Sequence, residues 1–134
     1  MSDPAAVPAP RALVAGHADF AAGLVSAVEL ITGQGSLLEV VQVKDLCSDD
    51  IRELLARRLQ ATGARVIFTD LSAGSCTMAA RRVLREFEGA VLVSGTNLPM
   101  LLDFALSRDP SATDAARAAV ERGRAAITAV GGPG

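Results

Sequence analysis

Four times along this chain a short apolar run rich in valine gives way to a longer segment whose apolar residues recur at helical spacing. Nothing else in the sequence restricts the fold so strongly. The runs are RALVA (residues 11–15), LLEVVQV (37–43), RVIFT (65–69) and AVLV (90–93). Runs this short and apolar read as strands covered on both faces. After the first, Phe20, Leu24, Val28 and Ile31 share one helical face until Gly33, the expected C-cap. Leu54, Leu55 and Leu59 mark a second helix, with Asp50 and Glu53 as a D-x-x-E cap and Gly63 as its stop. A third helix follows the polar loop 71–75 and runs to about Phe87. Asn97 caps a fourth through Ser107, with Pro99 in its first turn, where a missing N–H costs little. Ser111, with Asp114 three residues on, opens a fifth that reaches Arg124. Residues 126–130 (AITAV) either extend that helix or form a short fifth strand.

Helical crossovers between successive strands make the pairing parallel and the connections right-handed. The expected architecture is an α/β open doubly wound parallel sheet with strand order 2-1-3-4. At 134 residues the chain is long enough for one domain with a sizeable core. That domain is read as residues 11–130, between a loose leader with three prolines (1–10) and a loose GGPG tail (131–134).

Composition removes several function classes. Thirteen Lys and Arg against 15 Asp and Glu leave a net charge of −2, so there is no basic footprint for nucleic acid. Half the residues are hydrophobic, yet every apolar run is broken well short of the about 20 residues that span a bilayer. The N-terminus lacks the basic and apolar regions of a secretory signal, so a cytoplasmic location is expected. Cys47 and Cys76 lie in separate elements without CxxC spacing and read as free thiols. With His17 the single histidine, the chain cannot assemble a closed four-ligand zinc site. No tryptophan or tyrosine is available to stack on a flavin. No metal and no cofactor are expected.

In such sheets ligands sit at the carboxyl ends of the strands, where the strand order reverses. Strand one is followed by Gly16, His17, Ala18 and Asp19, strand three by Asp70 through a loop to Ser75, and strand four by Ser94, Gly95, Thr96 and Asn97. If the strand order is 2-1-3-4, strands one and three are neighbours, and His17 and Asp70 would face each other across one crevice. A histidine beside a carboxylate serves as a general base, a metal ligand or a nucleophile. The aspartate accepts from one ring nitrogen and leaves the other with its lone pair outward. A serine hydrolase would need a G-x-S-x-G elbow, and the nearest string, AGSCT, lacks both outer glycines. Helix N-termini after His17 and after Ser75 would offer free N–H groups to an oxyanion, and Ser72, Ser75, Thr77 and Thr96 would add hydroxyls. A phosphoryl group suits that environment. Each hydroxyl is equally explained as a cap or turn residue, and Ser75, at a helix mouth, fits both roles. A receiver domain is excluded, because the only lysine, Lys44, lies in the second strand–helix turn, and a flavodoxin is excluded because GHADFAAG has no hydroxyl.

Three ordered segments go further: VAGHADFAAGLVSAVELITG (14–33), FTDLSAGSCTMAAR (68–81) and VSGTNLPMLLDFALSRD (93–109). With them the chain resembles, from about residue 12 to 130, the IIA component of the mannose-family phosphotransferase system (PTS) of bacterial sugar uptake. They match the family's strand–histidine–helix opening, its D-x-x-G-G-S-P-x-x-A segment and its G-x-N-[IL]-P-M-L stretch. The resemblance implies that His17 accepts a phosphoryl group, as a tele-phosphohistidine, from phospho-HPr and passes it to a IIB partner, the sugar being phosphorylated on entry through IIC and IID. It implies that Asp70 orients His17, and that Ser75, with Ser72 and Gly74, surrounds the phosphoryl group. It also implies a homodimer in which residues 126–130 form an exchanged, antiparallel C-terminal strand. Ala73 stands where the family has glycine, and Cys76 where it has proline. Alanine at 73 would restrict the loop if a positive φ were needed there, and Cys76 is read as a small packing residue rather than a reactive thiol. Leu101, Leu102, Phe104 and Ala105 are either a docking rim or ordinary core. Two alternatives share a phosphorylated His17: the phosphotransfer subunit of a PTS-dependent dihydroxyacetone kinase, and a regulatory module of the same fold.

Overall fold

A computed structural model describes residues 8–133. The elements alternate as expected: β1 (Ala12–Ala15), α1 (Phe20–Thr32), a one-turn 3-10 helix (Gly35–Leu37), β2 (Leu38–Val40), α2 (Ser48–Thr62), β3 (Val66–Thr69), α3 (Ser75–Leu84), β4 (Val91–Val93), α4 (Leu98–Leu106) and α5 (Ala112–Ala125). The four strands form one sheet in the order β2-β1-β3-β4, every pair parallel. The register sets Val14 opposite Phe68 and Ala15 opposite Thr69, so β1 and β3 end side by side.

The period of two along each strand divides the core. Ala12 and Val14 of β1, with Val66 and Phe68 of β3, pack against α1, α4 and α5. Leu13, Ala15 and Ile67 pack against α2 and α3 on the other face. Every residue of β1 and β3 is buried, which is why these strands read as unbroken apolar runs. Phe68 meets Phe104 of α4 edge to face, centroids 5.1 Å apart. Leu101, Phe104 and Ala105 are buried in this core and Leu102 packs against it, which decides against the docking rim.

Gly33 and Gly63 close α1 and α2 as expected. Asn97 accepts from the Met100 N–H and Ser111 from the Asp114 N–H, so both expected caps form. Other boundaries differ. The D-x-x-E cap is not used: α2 begins at Ser48 behind Cys47, Asp50 lies inside the first turn, and the neighbouring Asp49 is paired with Arg82 of α3 at 2.7 Å. α3 ends at Leu84, and tighter turns carry the chain to Phe87, whose ring lies under Arg65. Residues 126–130 form no strand in the described chain: a turn at Ala126 ends α5, and Ile127 and Val130 are exposed. The physical reason is that no strand within the described chain pairs with them. Of the loose leader and tail, residues 8–10 and 131–133 carry no helix or strand, and residues 1–7 and 134 lie outside the described part.

Candidate functional site

The chain leaves β1 toward α1 on one face and leaves β3 toward α3 on the other. This divergence opens a crevice at the carboxyl ends of the two strands, as the switch-point rule requires. His17 stands on one wall and Asp70 on the other. His17 Nδ1 lies 2.7 Å from Asp70 Oδ2, and the His17 backbone N–H donates to the same oxygen at 2.8 Å. Asp70 Oδ1 accepts from the Leu71 N–H at 2.9 Å.

Burial pushes the Asp70 carboxyl toward higher pKa, but the N–H donors of His17 and Leu71 and the nearby His17 charge outweigh it, and the net shift is downward. Asp70 is therefore ionised at neutral pH and can only accept. The bridging proton therefore sits on Nδ1, which in the neutral imidazole leaves Nε2 with its lone pair. The side chain of Asp70 is only 10% exposed while that of His17 is 61% exposed, so the carboxylate is a buried brace and the imidazole faces outward.

Two backbone features make this approach geometrically feasible. A Cβ on Gly16 would come within 2.7 Å of the Phe20 ring and 2.9 Å of Asp70 Cγ, so only glycine lets Asp70 reach the residue that follows. Ala18 then turns the chain with φ 47°, a left-handed conformation that costs a non-glycine residue about 1–2 kcal/mol. Neither residue was singled out in the sequence. Glycine before a histidine at a strand end is the only signal that was present.

The loop after Asp70 reaches α3 through Gly74, whose φ of 106° favours glycine, while a Cβ there would make only ordinary contact with His17 Cε1 at 3.6 Å. The left-handed requirement falls there and not on Ala73, which removes the objection to alanine at 73. Gly74 is also the residue before the helix, so Ser75 is its first residue and not a side-chain cap. Ser75 lines, with Gly16, His17, Ala18 and Cys76, an open cavity of about 260 Å³. The first N–H groups of α3 have no intrahelical partners and lie at this wall. The expected second N-terminus does not contribute: no α1 residue lines the cavity, and the Phe20 N–H is taken by the His17 carbonyl.

The remaining hydroxyls separate by burial. Thr77 Oγ1 lies 2.8 Å from Thr69 Oγ1 and donates to the Leu71 carbonyl. Thr96 donates to the Thr69 carbonyl at 2.7 Å. Both are buried and tie the Asp70 loop and the end of β4 to β3, so neither is a donor to a ligand. Ser72 is exposed on the loop, outside the cavity lining. Cys76 is buried, and burial with the nearby Asp70 charge raises its thiol to about 11, which fits the packing role. The far wall comes from the β2–α2 turn and α2: Val43, Lys44, Asp45, Leu46 and Ile51. The sequence pointed only to the ends of β1, β3 and β4, yet β2 also neighbours β1 and ends at the same edge.

Among the described residues no cluster of three His, Cys, Asp or Glu side chains could hold a metal ion, and no helix is long and apolar enough to cross a membrane. No curated protein matches the chain. Among solved structures, the fold is shared with the mannose/sorbose-specific IIA subunit of the phosphotransferase system from Enterococcus faecalis (20% identity, TM-score 0.75, 93% of this chain and 97% of that one). It is also shared with phosphotransferase system component EIIA from Streptococcus agalactiae (23%, 0.78, 89% and 95%). A third is the PTS IIA protein associated with the fucose utilization operon of Streptococcus pneumoniae (19%, 0.67, 92% and 95%). The sequence pattern of the EIIA-man family, described as PTS system fructose IIA component, matches residues 11–121. That match spans β1 through most of α5 and includes both walls of the crevice, and on it the chain belongs to the EIIA-man family of phosphotransferase system IIA components.

Proposed function

We propose that the chain is a histidine phosphoryl carrier, taking a phosphoryl group from phospho-HPr onto His17 Nε2 and passing it to a IIB component. One observation carries this reading: an ionised, mostly buried Asp70 lies 2.7 Å from Nδ1 of the exposed His17 ring, which in the neutral imidazole leaves Nε2 with its lone pair. In the first step that lone pair forms the new N–P bond while the N–P bond of the donor breaks, its electron pair returning to the donor ring. Positive charge develops on the His17 ring as the bond forms, and the Asp70 carboxylate at Nδ1–H offsets it. The second step is the reverse, with the IIB side chain as nucleophile and His17 as leaving group. The N–H groups at the start of α3 and the Ser75 hydroxyl face the phosphoryl oxygens, and Gly74 and Ser72 belong to the loop that leads to them. No cofactor enters the reaction.

The carrier is read as cytoplasmic, serving membrane IIC and IID only through IIB, and as a homodimer. The exposed Ile127 and Val130 favour pairing of residues 126–130 with a second copy.

The test is intact-mass spectrometry after incubation with phosphoenolpyruvate, enzyme I and HPr. One acid-labile phosphoryl group is expected on the protein and none on His17→Ala. Retention of the group by His17→Ala would overturn the assignment of the acceptor. Absence of any gain beside an active control would overturn the carrier reading.

A further inference from the structure

A phosphoryl group at Nε2 creates an electrostatic problem in this cavity. It carries roughly −1.5 to −2 charge near neutral pH, and it sits on a ring already braced by the Asp70 carboxylate. Asp45 also lines the cavity and adds a further carboxylate. The N-terminus of α3 offers only about half a positive charge.

Lys44 answers this. It is the only lysine in the chain and the only lysine or arginine lining the His17 cavity. Its side chain is exposed, and it enters none of the ion pairs formed among the described residues. The turn that carries it is specific: the Leu46 N–H closes it on the Val43 carbonyl at 3.2 Å, with Asp45 left-handed at φ 63°. Aspartate tolerates that conformation better than most residues. The turn thus places Lys44, which has no ion-pair partner among the described residues, on the cavity wall formed by the β2–α2 connection, separate from the Ser75 wall.

We propose that Lys44 is a phosphoryl-binding residue of this site, its ammonium contacting the oxygens of the group carried by His17. The proposal deepens the carrier reading and rests on it for the identity of the anion. The anion site itself can be tested without any partner protein.

The experiment titrates inorganic phosphate into the protein and follows the amide signals of His17 and Ser75 by NMR, for wild type, Lys44→Gln and Lys44→Arg. The wild type is expected to show saturable shifts. Lys44→Gln should weaken phosphate about tenfold, the size of one charge-assisted hydrogen bond. Lys44→Arg should stay within about threefold of wild type, because it keeps the charge. Raising ionic strength should narrow the gap between wild type and Lys44→Gln, as screening predicts. Shifts in Lys44→Gln equal to those of the wild type, or no phosphate-dependent shift in the wild type, would overturn the proposal. So would equal weakening in Lys44→Arg and Lys44→Gln, since that marks a structural role for the side chain. Charge-dependent phosphate binding combined with no phosphorylation by phospho-HPr would leave the Lys44 site standing and remove the carrier reading instead.

Discussion

Two opposing effects act on the carboxyl group of Asp70: burial raises its pKa, and three N–H donors with the His17 charge lower it further than burial raises it. Because the folded-state value lies below the ordinary 3.8, the unfolded chain binds more protons in the acid range. The stabilisation is therefore complete above the unfolded value and is lost as pH falls through the folded one. Asp70→Asn retains the shape and removes the charge. Its denaturant midpoint should lie below that of the wild type at about pH 5, and the gap should close in more acidic buffer. A gap that persists unchanged into acid would show that the charge of the carboxylate is not what stabilises the fold. The same variant can donate to Nδ1 and so favours the wrong tautomer. Phosphorylation of His17 should slow by about 10–100-fold, the size seen when the carboxylate partner of a metal-ligating histidine is lost, and stopped reactions with phospho-HPr would measure it. The His17–Asp70 pair was legible in the sequence because a topological rule names strand ends. The approach that only Gly16 permits and the left-handed Ala18 were not, because each depends on atoms more than a few residues away or on a backbone angle that alanine does not announce.

Among the elements, α4 and α5 show how one polar side chain joins two helices. Asn97 accepts from the Met100 N–H at 3.1 Å, and its Nδ2 donates to the Gly123 carbonyl of α5 at 3.0 Å. The cap was readable from Asn97 and Pro99. The link to Gly123 was not, since it needs the two helices to be packed. A Cβ at Gly123 would meet Met100 at 2.9 Å, so this glycine sets the spacing of the pair. Asn97→Ala should lower stability by about 1–2 kcal/mol, a cap plus one partly buried hydrogen bond. Urea unfolding at pH 7 measures this, and a loss no larger than that of an exposed surface substitution would show that the link to α5 contributes nothing. At α2 the expected D-x-x-E cap failed for a related reason. The pattern of residues 50 and 53 is local, whereas the helix start at Ser48 goes with the Asp49–Arg82 pair formed across to α3.

For the molecule as a whole, the sheet positions the site through the core that covers its α1, α4 and α5 face. Phe104 is fully buried against Phe68, two residues before Asp70. Phe104→Ala should cost about 3–5 kcal/mol, a large share of the roughly 5–15 kcal/mol available to a domain. Chemical denaturation should show a midpoint far below that of the wild type. A loss under about 1 kcal/mol would mean that the site collapses around the missing ring.

The sequence by itself determined the class of fold and the residues that stand at the strand ends, and the observed order β2-β1-β3-β4 brings those of β1 and β3 together. The class and the strand ends follow from periodicity, crossover length and chain handedness, which are local or nearly so. Only the tertiary structure decided that Thr77 and Thr96 are buried fasteners while Ser75 faces the cavity, that one helix N-terminus and not two reaches it, and that the β2–α2 turn supplies the far wall. Each of those depends on which face a side chain presents once distant segments are packed, and no spacing along the chain encodes that. Residues 126–130 mark the same boundary: their composition suits a strand, but a strand exists only where another backbone offers its hydrogen bonds.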